Sequence, residues 1–136
     1  MILSGLRQLL VLFIAAAIPA GLLGVWHANR PAPAVAQGEI TVAAARALPL
    51  ASTIYVDARS QREYARGHVA GAVLLHAPEW ETQIARFYDA WEPGLVVVVY
   101  GRPRSDDAST VAERLRRESN LTEVFVLKGQ WEELAK

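Results

Sequence analysis

Thr53-Ile54-Tyr55-Val56-Asp57, then Ala58-Arg59-Ser60, Glu63-Tyr64 and Gly67-His68-Val69-Ala70-Gly71-Ala72-Val73, is the stretch on which the architecture turns. Its opening residues are mostly β-branched or aromatic, the composition of a strand. Ser60 is placed to cap a short helix running to Arg66, and Gly67 to end it. Val73 to His76 then reads as a second strand. Strand, helix and strand in such quick succession are the repeating unit of an α/β fold.

The alternation continues outward in both directions. Glu39-Ile40-Thr41 is a short extended start, and Val42 to Leu48 a brief helix that Pro49 stops. Pro78 suits the first turn of a longer helix, on which Trp80, Ile84, Phe87, Tyr88 and Trp91 recur as a core-facing stripe. Gly94 launches Leu95 to Tyr100, a continuous apolar strand of the kind buried on both faces of a parallel sheet. From Asp107 to Glu118, Ala108, Val111, Ala112 and Leu115 form one apolar face, Asp106 and Asp107 serve the helix start, and Glu113–Arg117 makes a surface pair. Glu123 to Leu127 is the last strand, and Trp131 to Leu134 begins a closing helix. The expected class is α/β, with a parallel sheet covered on both faces.

These residues resemble the rhodanese-like domain family. Asp57 to Ser60, Glu63-Tyr64 and Gly67 to Val73 are similar to its first-half motif. The buried run Val96 to Tyr100, and Val124-Phe125-Val126-Leu127-Lys128-Gly129 with Trp131, are similar to its second half. The resemblance covers roughly residues 39 to 134 and implies a five-stranded parallel sheet flanked by helices. It also implies where chemistry would sit. In rhodaneses the residue after the fourth strand is a cysteine that carries sulfur as a persulfide, so the acceptor must itself be a nucleophilic sulfur. Here that position is Gly101, and the chain has no cysteine. Sulfurtransferase, cysteine phosphatase and arsenate reductase readings fail together, leaving a rhodanese fold without rhodanese chemistry. The chain also departs from the pattern at Gly129-Gln130, where the family commonly has paired glycines, and only five residues follow Trp131, as if the domain's end were trimmed.

The loop after that strand is Gly101-Arg102-Pro103-Arg104-Ser105-Asp106-Asp107. Gly101, Arg102, Arg104 and Ser105 make a candidate site for a small anion, a sulfur oxyanion or phosphate, because arginines supply charge and glycine lets backbone approach closely. Against this, Pro103 removes a donor, and Asp106 and Asp107 repel a second negative group. Ser105 cannot carry a persulfide, and its only candidate bases in the soluble part are His68 and His76. Two histidines without a paired carboxylate motif do not make a metal site, and no cofactor is implied. Asp57, Arg59, Gly67, His68 and Gly71 are read as structural, with Asp-x-Arg fixing the strand end by hydrogen bonds.

Leu9 to Trp26 (LLVLFIAAAIPAGLLGVW) is an uncharged stretch of 18 residues. As a helix it would span ~27 Å, close to a bilayer's hydrocarbon thickness. Residues 1–27 are therefore expected to form a transmembrane anchor. A cleavable signal peptide competes, with Arg7 in its n-region and Ala34-Val35-Ala36 as cleavage site. Either reading puts the domain on the extracytoplasmic (periplasmic) side. Residues 28–38 read as a Pro/Ala tether and 39–136 as the folded domain. All fourteen acidic and twelve of the fourteen basic residues lie in that domain, a net charge of −2. No basic block is present, which argues against a nucleic-acid partner. The expected function is a membrane-anchored, catalytically inactive rhodanese-like domain that binds an envelope protein. A small-anion sensor or carrier using the loop is the alternative, and an enzyme of unrelated mechanism on the same fold a third.

Overall fold

The computed structural model describes residues 38–136. The expected membrane span and the tether up to residue 37 lie outside the described residues. Among the described residues, no helix is long and apolar enough to cross a membrane.

Five strands form one parallel sheet: β1 (Glu39–Thr41), β2 (Thr53–Asp57), β3 (Val73–Leu74), β4 (Val96–Tyr100) and β5 (Val124–Lys128), in the order β1-β5-β4-β2-β3. Between them run α1 (Val42–Ala47), α2 (Gln61–Arg66), α3 (Trp80–Ala90) and α4 (Asp107–Glu118). Local chemistry sets their ends. Thr41 Oγ1 accepts from Ala44 N at the start of α1, and Ser60 with Glu63 forms a reciprocal capping box on α2.

Side chains alternate across the strands, so the central ones feed two cores. Ile54, Val56, Val97, Val99 and Val124 face α3 and α4, where Trp80, Phe87, Val111, Ala112 and Leu115 meet them. Tyr55, Val98, Tyr100 and Leu127 face the other way, against Ala45 of α1 and the Val69–Ala72 turn. The pairing register sets Asp57 beside Tyr100, and Val99 beside Val126. The carboxyl ends of β2, β4 and β5 therefore reach one edge together, and the loop after β4 leaves from the middle of it.

Several details differ from the sequence expectation. β3 stops at Leu74 rather than His76, because Gln83 Oε1 takes the His76 N–H at 2.7 Å and draws the chain off the sheet. Tyr88, placed in the core stripe of α3, is half-exposed; its hydroxyl lies 2.5 Å from Ser119 Oγ and braces α3 against the end of α4. Along α4, Glu118 pairs with Arg114 at 2.9 Å and with Arg117 at 3.6 Å, in place of the expected Glu113–Arg117 pair. Arg114 lies over the Trp80 ring, 4.4 Å from its centroid, and meets Glu81 at 2.8 Å, so it faces α3. The expected closing helix is a 3₁₀ turn, Trp131–Glu133.

Gly129 ends β5 with φ of +126°, and a Cβ there would stand 2.6 Å from Val42 Cγ2. Gly129→Ala should therefore destabilise by about 1–3 kcal/mol, read as a fall in denaturation midpoint without a change in slope. An unchanged midpoint would show that α1 can shift freely away from β5.

Candidate functional site: the carboxyl edge of the sheet

Asp57 is the last residue of β2 and completely buried, and Arg59, two residues on, is also buried. A buried carboxylate needs its charge met. Arg59 Nη2 donates to Asp57 Oδ2 at 2.6 Å, Arg59 Nε to Oδ1 at 2.9 Å, and the Arg59 backbone N–H to the same Oδ1 at 2.9 Å. The same Nη2 donates to Gly67 O at 2.7 Å. The guanidinium lies 4.3 Å over the Trp131 ring and 5.6 Å from the centroid of Tyr100. Burial opposes the Arg59 charge, but the hydrogen bond and charge of Asp57 outweigh it and hold the guanidinium's pKa above its ordinary value. Tyr100 accepts the Val69 N–H on its hydroxyl at 3.0 Å, and burial pushes that hydroxyl's pKa well up.

Gly101 follows β4 directly. A carbon added at its Cβ position would meet Ala108 N at 3.0 Å and Asp107 Cβ at 3.1 Å, both in the first turn of α4. Position 101 is thus packed against the helix start, with Asp107 beside it. The rest of the loop is tied to that same carboxylate. Arg102 Nε donates to Asp107 Oδ2 at 2.7 Å and Nη2 to Oδ1 at 3.2 Å. Ser105 Oγ lies 2.8 Å from Asp107 Oδ2 and 2.9 Å from Arg102 O, its one proton shared between them. The Arg102 hydrogen bond, with a smaller one from Ser105, lowers the Asp107 pKa, and the same pairing raises that of Arg102.

The model of the family described as rhodanese-like domain matches residues 42–136, most of the chain. The chain belongs to the rhodanese-like domain family. Among solved structures, it is similar to a cysteine-to-serine variant of EanB in complex with hercynine: 30% identity, TM-score 0.52, over 65% of this chain and 23% of that one. A form of EanB with a cysteine persulfide, in a tetrahedral intermediate state with ergothioneine, gives 29% identity and a TM-score of 0.51 over 65% of this chain and 24% of that one. The chain thus spans about a quarter of EanB. No curated protein matches it.

Within this rhodanese-like domain the sequence-derived candidates fall into two groups. Asp57, Arg59 and Gly67 are joined by the guanidinium. His68 is exposed, stacked on Tyr64 with ring centroids 3.8 Å apart, and its Nδ1 lies 2.8 Å from Tyr64 O. Gly71 takes φ of +76° in the turn before β3, a conformation that favours glycine. Gly101, Arg102, Arg104 and Ser105 share the loop, but not as a ready anion receptor. Asp107 lies in the first turn of α4, as expected, and also binds Arg102 and Ser105; Asp106, at the N-cap, makes no side-chain cap bond. Charge on Arg102 is met within the loop. Tyr100 and Trp131, which stack on one another beside Arg59, were not anticipated as part of this site. Nor were Lys128 and Gln130, which with the loop wall a cleft of about 510 Å³. Among the described residues no group of three or more histidine or acidic side chains is placed to hold a metal.

Two tests follow from this geometry. Asp57→Asn removes the counter-charge from buried Arg59 and should cost about 3–5 kcal/mol in chemical denaturation; a loss near zero would mean water reaches the guanidinium. The second concerns acid. Because the Asp107 pKa is lower folded than unfolded, its pairing stabilises the fold above the unfolded carboxylate value and is lost as pH falls through the folded one. Asp107→Asn should therefore lower stability at neutral pH and flatten its decline below about pH 4. Parallel pH–stability curves for the two proteins would remove Asp107 from the account.

Proposed function

We propose that this protein is a non-catalytic member of the rhodanese-like family, held at a membrane by its N-terminal apolar segment and working by binding an extracytoplasmic protein. The observation that carries this reading is glycine at the residue after β4, in a cysteine-free chain, with the first turn of α4 packed onto it. Sulfane transfer requires a thiolate that attacks the donor sulfur and holds it as a persulfide. Ser105, the hydroxyl of this loop, is bonded to Asp107 and has no imidazole among its hydrogen-bond partners. EanB forms with a cysteine persulfide, or with hercynine bound, mark chemistry that a fold of this type carries when a cysteine is present.

The small-anion alternative has less support. The Asp107 carboxylate already accepts from Arg102 and lies against Ser105, and a second anion would compete with it at close range.

Purified protein should therefore show no turnover in a thiosulfate:cyanide sulfurtransferase assay, and sustained turnover would end the non-catalytic reading. Gly101→Cys should not create one. The new Cβ crowds α4, costing about 1–3 kcal/mol as overpacking. The neighbouring Asp107 carboxylate also opposes ionisation of the thiol. Rhodanese turnover by Gly101→Cys at undiminished stability would show that the loop accepts a thiolate as it stands.

A further inference from the structure

The cleft beside the loop differs in charge from the domain around it. Its walls are the loop from Gly101 to Ser105, the first turn of α4, and the end of β5 with the turn to Gln130. Arg102, Arg104 and Lys128 lie along it with one acidic residue, Glu39, so the walls carry a net +2 on a domain of net −2. The floor is apolar: Ala108 is buried and Val126 half-buried.

The three cations are not equivalent. Arg102 is held by Asp107. Lys128 meets Glu39 at 2.8 Å, but both side chains are largely exposed, at 59% and 44%, and such a pair is weak enough to exchange partners at little cost. Arg104 makes no ion pair among the described residues, and its backbone sits at φ of +60°, a conformation that a non-glycine residue adopts at a cost. A strained position that keeps a long, unpaired cation over a cleft is better explained by what the cation meets than by what the loop needs.

Shape and charge together decide the occupant. A lone inorganic anion would fill little of about 510 Å³ and would meet only solvated arms, with no buried donor to fix it. An extended segment alternating acidic and apolar residues suits it better. Its carboxylates would reach Arg104 and Lys128 while its apolar side chains cover Val126 beside Ala108. We infer that this cleft is a docking groove for an acidic–apolar segment of a partner protein. The inference rests on the binding role proposed above and names the surface that performs it.

The test uses the full chain in detergent micelles and a fluorescently labelled peptide of alternating Glu and Leu, read by anisotropy. Saturable binding is expected that weakens as salt is raised, with affinity falling about tenfold or more in the Arg104→Glu, Lys128→Glu double variant. Arg104→Gly provides a variant that folds at least as well: relieved of strain, it should keep or raise the melting temperature while weakening the peptide. Equal affinity for wild type and double variant would overturn the proposal. So would displacement of the peptide by thiosulfate, sulfate or phosphate, but not chloride, at equal ionic strength, which would make the cleft an inorganic-anion receptor. Sulfur transfer is assayed on the same samples. Failure to bind the peptide without sulfur transfer removes the groove alone, whereas turnover removes the non-catalytic reading.

Discussion

The buried pair of Asp57 and Arg59 is the constraint on which the carboxyl edge of this domain depends. Neither charge tolerates burial alone, and their mutual hydrogen bonds do not exhaust the guanidinium. Its Nη2 also donates to Gly67 O, and the guanidinium lies over Trp131, which is stacked in turn on Tyr100. One side chain thereby ties the end of β2, the turn after α2, the end of β4 and the C-terminal 3₁₀ turn. Lysine, a point charge on a flexible stem, offers neither the planar fork nor the flat stacking surface.

That anchoring explains why the loop after β4 can carry its own chemistry. Tyr100 is fixed from its ring by Arg59 and Trp131 and from its hydroxyl by Val69 N–H, so Gly101 emerges in a defined place and direction. The start of α4 is equally fixed, because Ala108, Val111 and Ala112 lie in the core. Two rigid ends leave the intervening residues to satisfy one another. Asp107 does this, drawing in Arg102 and Ser105. The arrangement resembles an anion held at a helix start, with the anion supplied by the chain itself.

The sequence made the sheet legible because parallel strands buried on both faces must be apolar runs, and Val96 to Tyr100 cannot be read otherwise. For Asp57 and Arg59 the family resemblance implied hydrogen bonds at the strand end, and the two side chains do meet there. What escaped was contact between residues distant in sequence. Asp107 stands at a helix start, where a carboxylate serves the helix dipole, and nothing in its neighbours says that Arg102 will curl back to it. Two i,i+4 pairs were open along α4, Glu113–Arg117 and Arg114–Glu118; Trp80, on another helix, holds Arg114 where the second forms. The cleft was invisible for the same reason, since Lys128 and Arg104 become neighbours only through the pairing of β4 with β5.

A functional site often betrays itself by rules it breaks at a cost met elsewhere. Judged this way, the loop of this rhodanese-like domain is quiet at the position where the family places its nucleophile. Gly101 has no positive φ, it is packed against α4, and among the described residues no buried side-chain polar atom lacks a partner. The broken rule lies three residues further on, at Arg104. Glycine would adopt that backbone without strain, and shorter Asn or Asp would adopt it at less cost. A long cation there, lining the cleft and in no ion pair among the described residues, shifts attention from the loop's first residue to its crest.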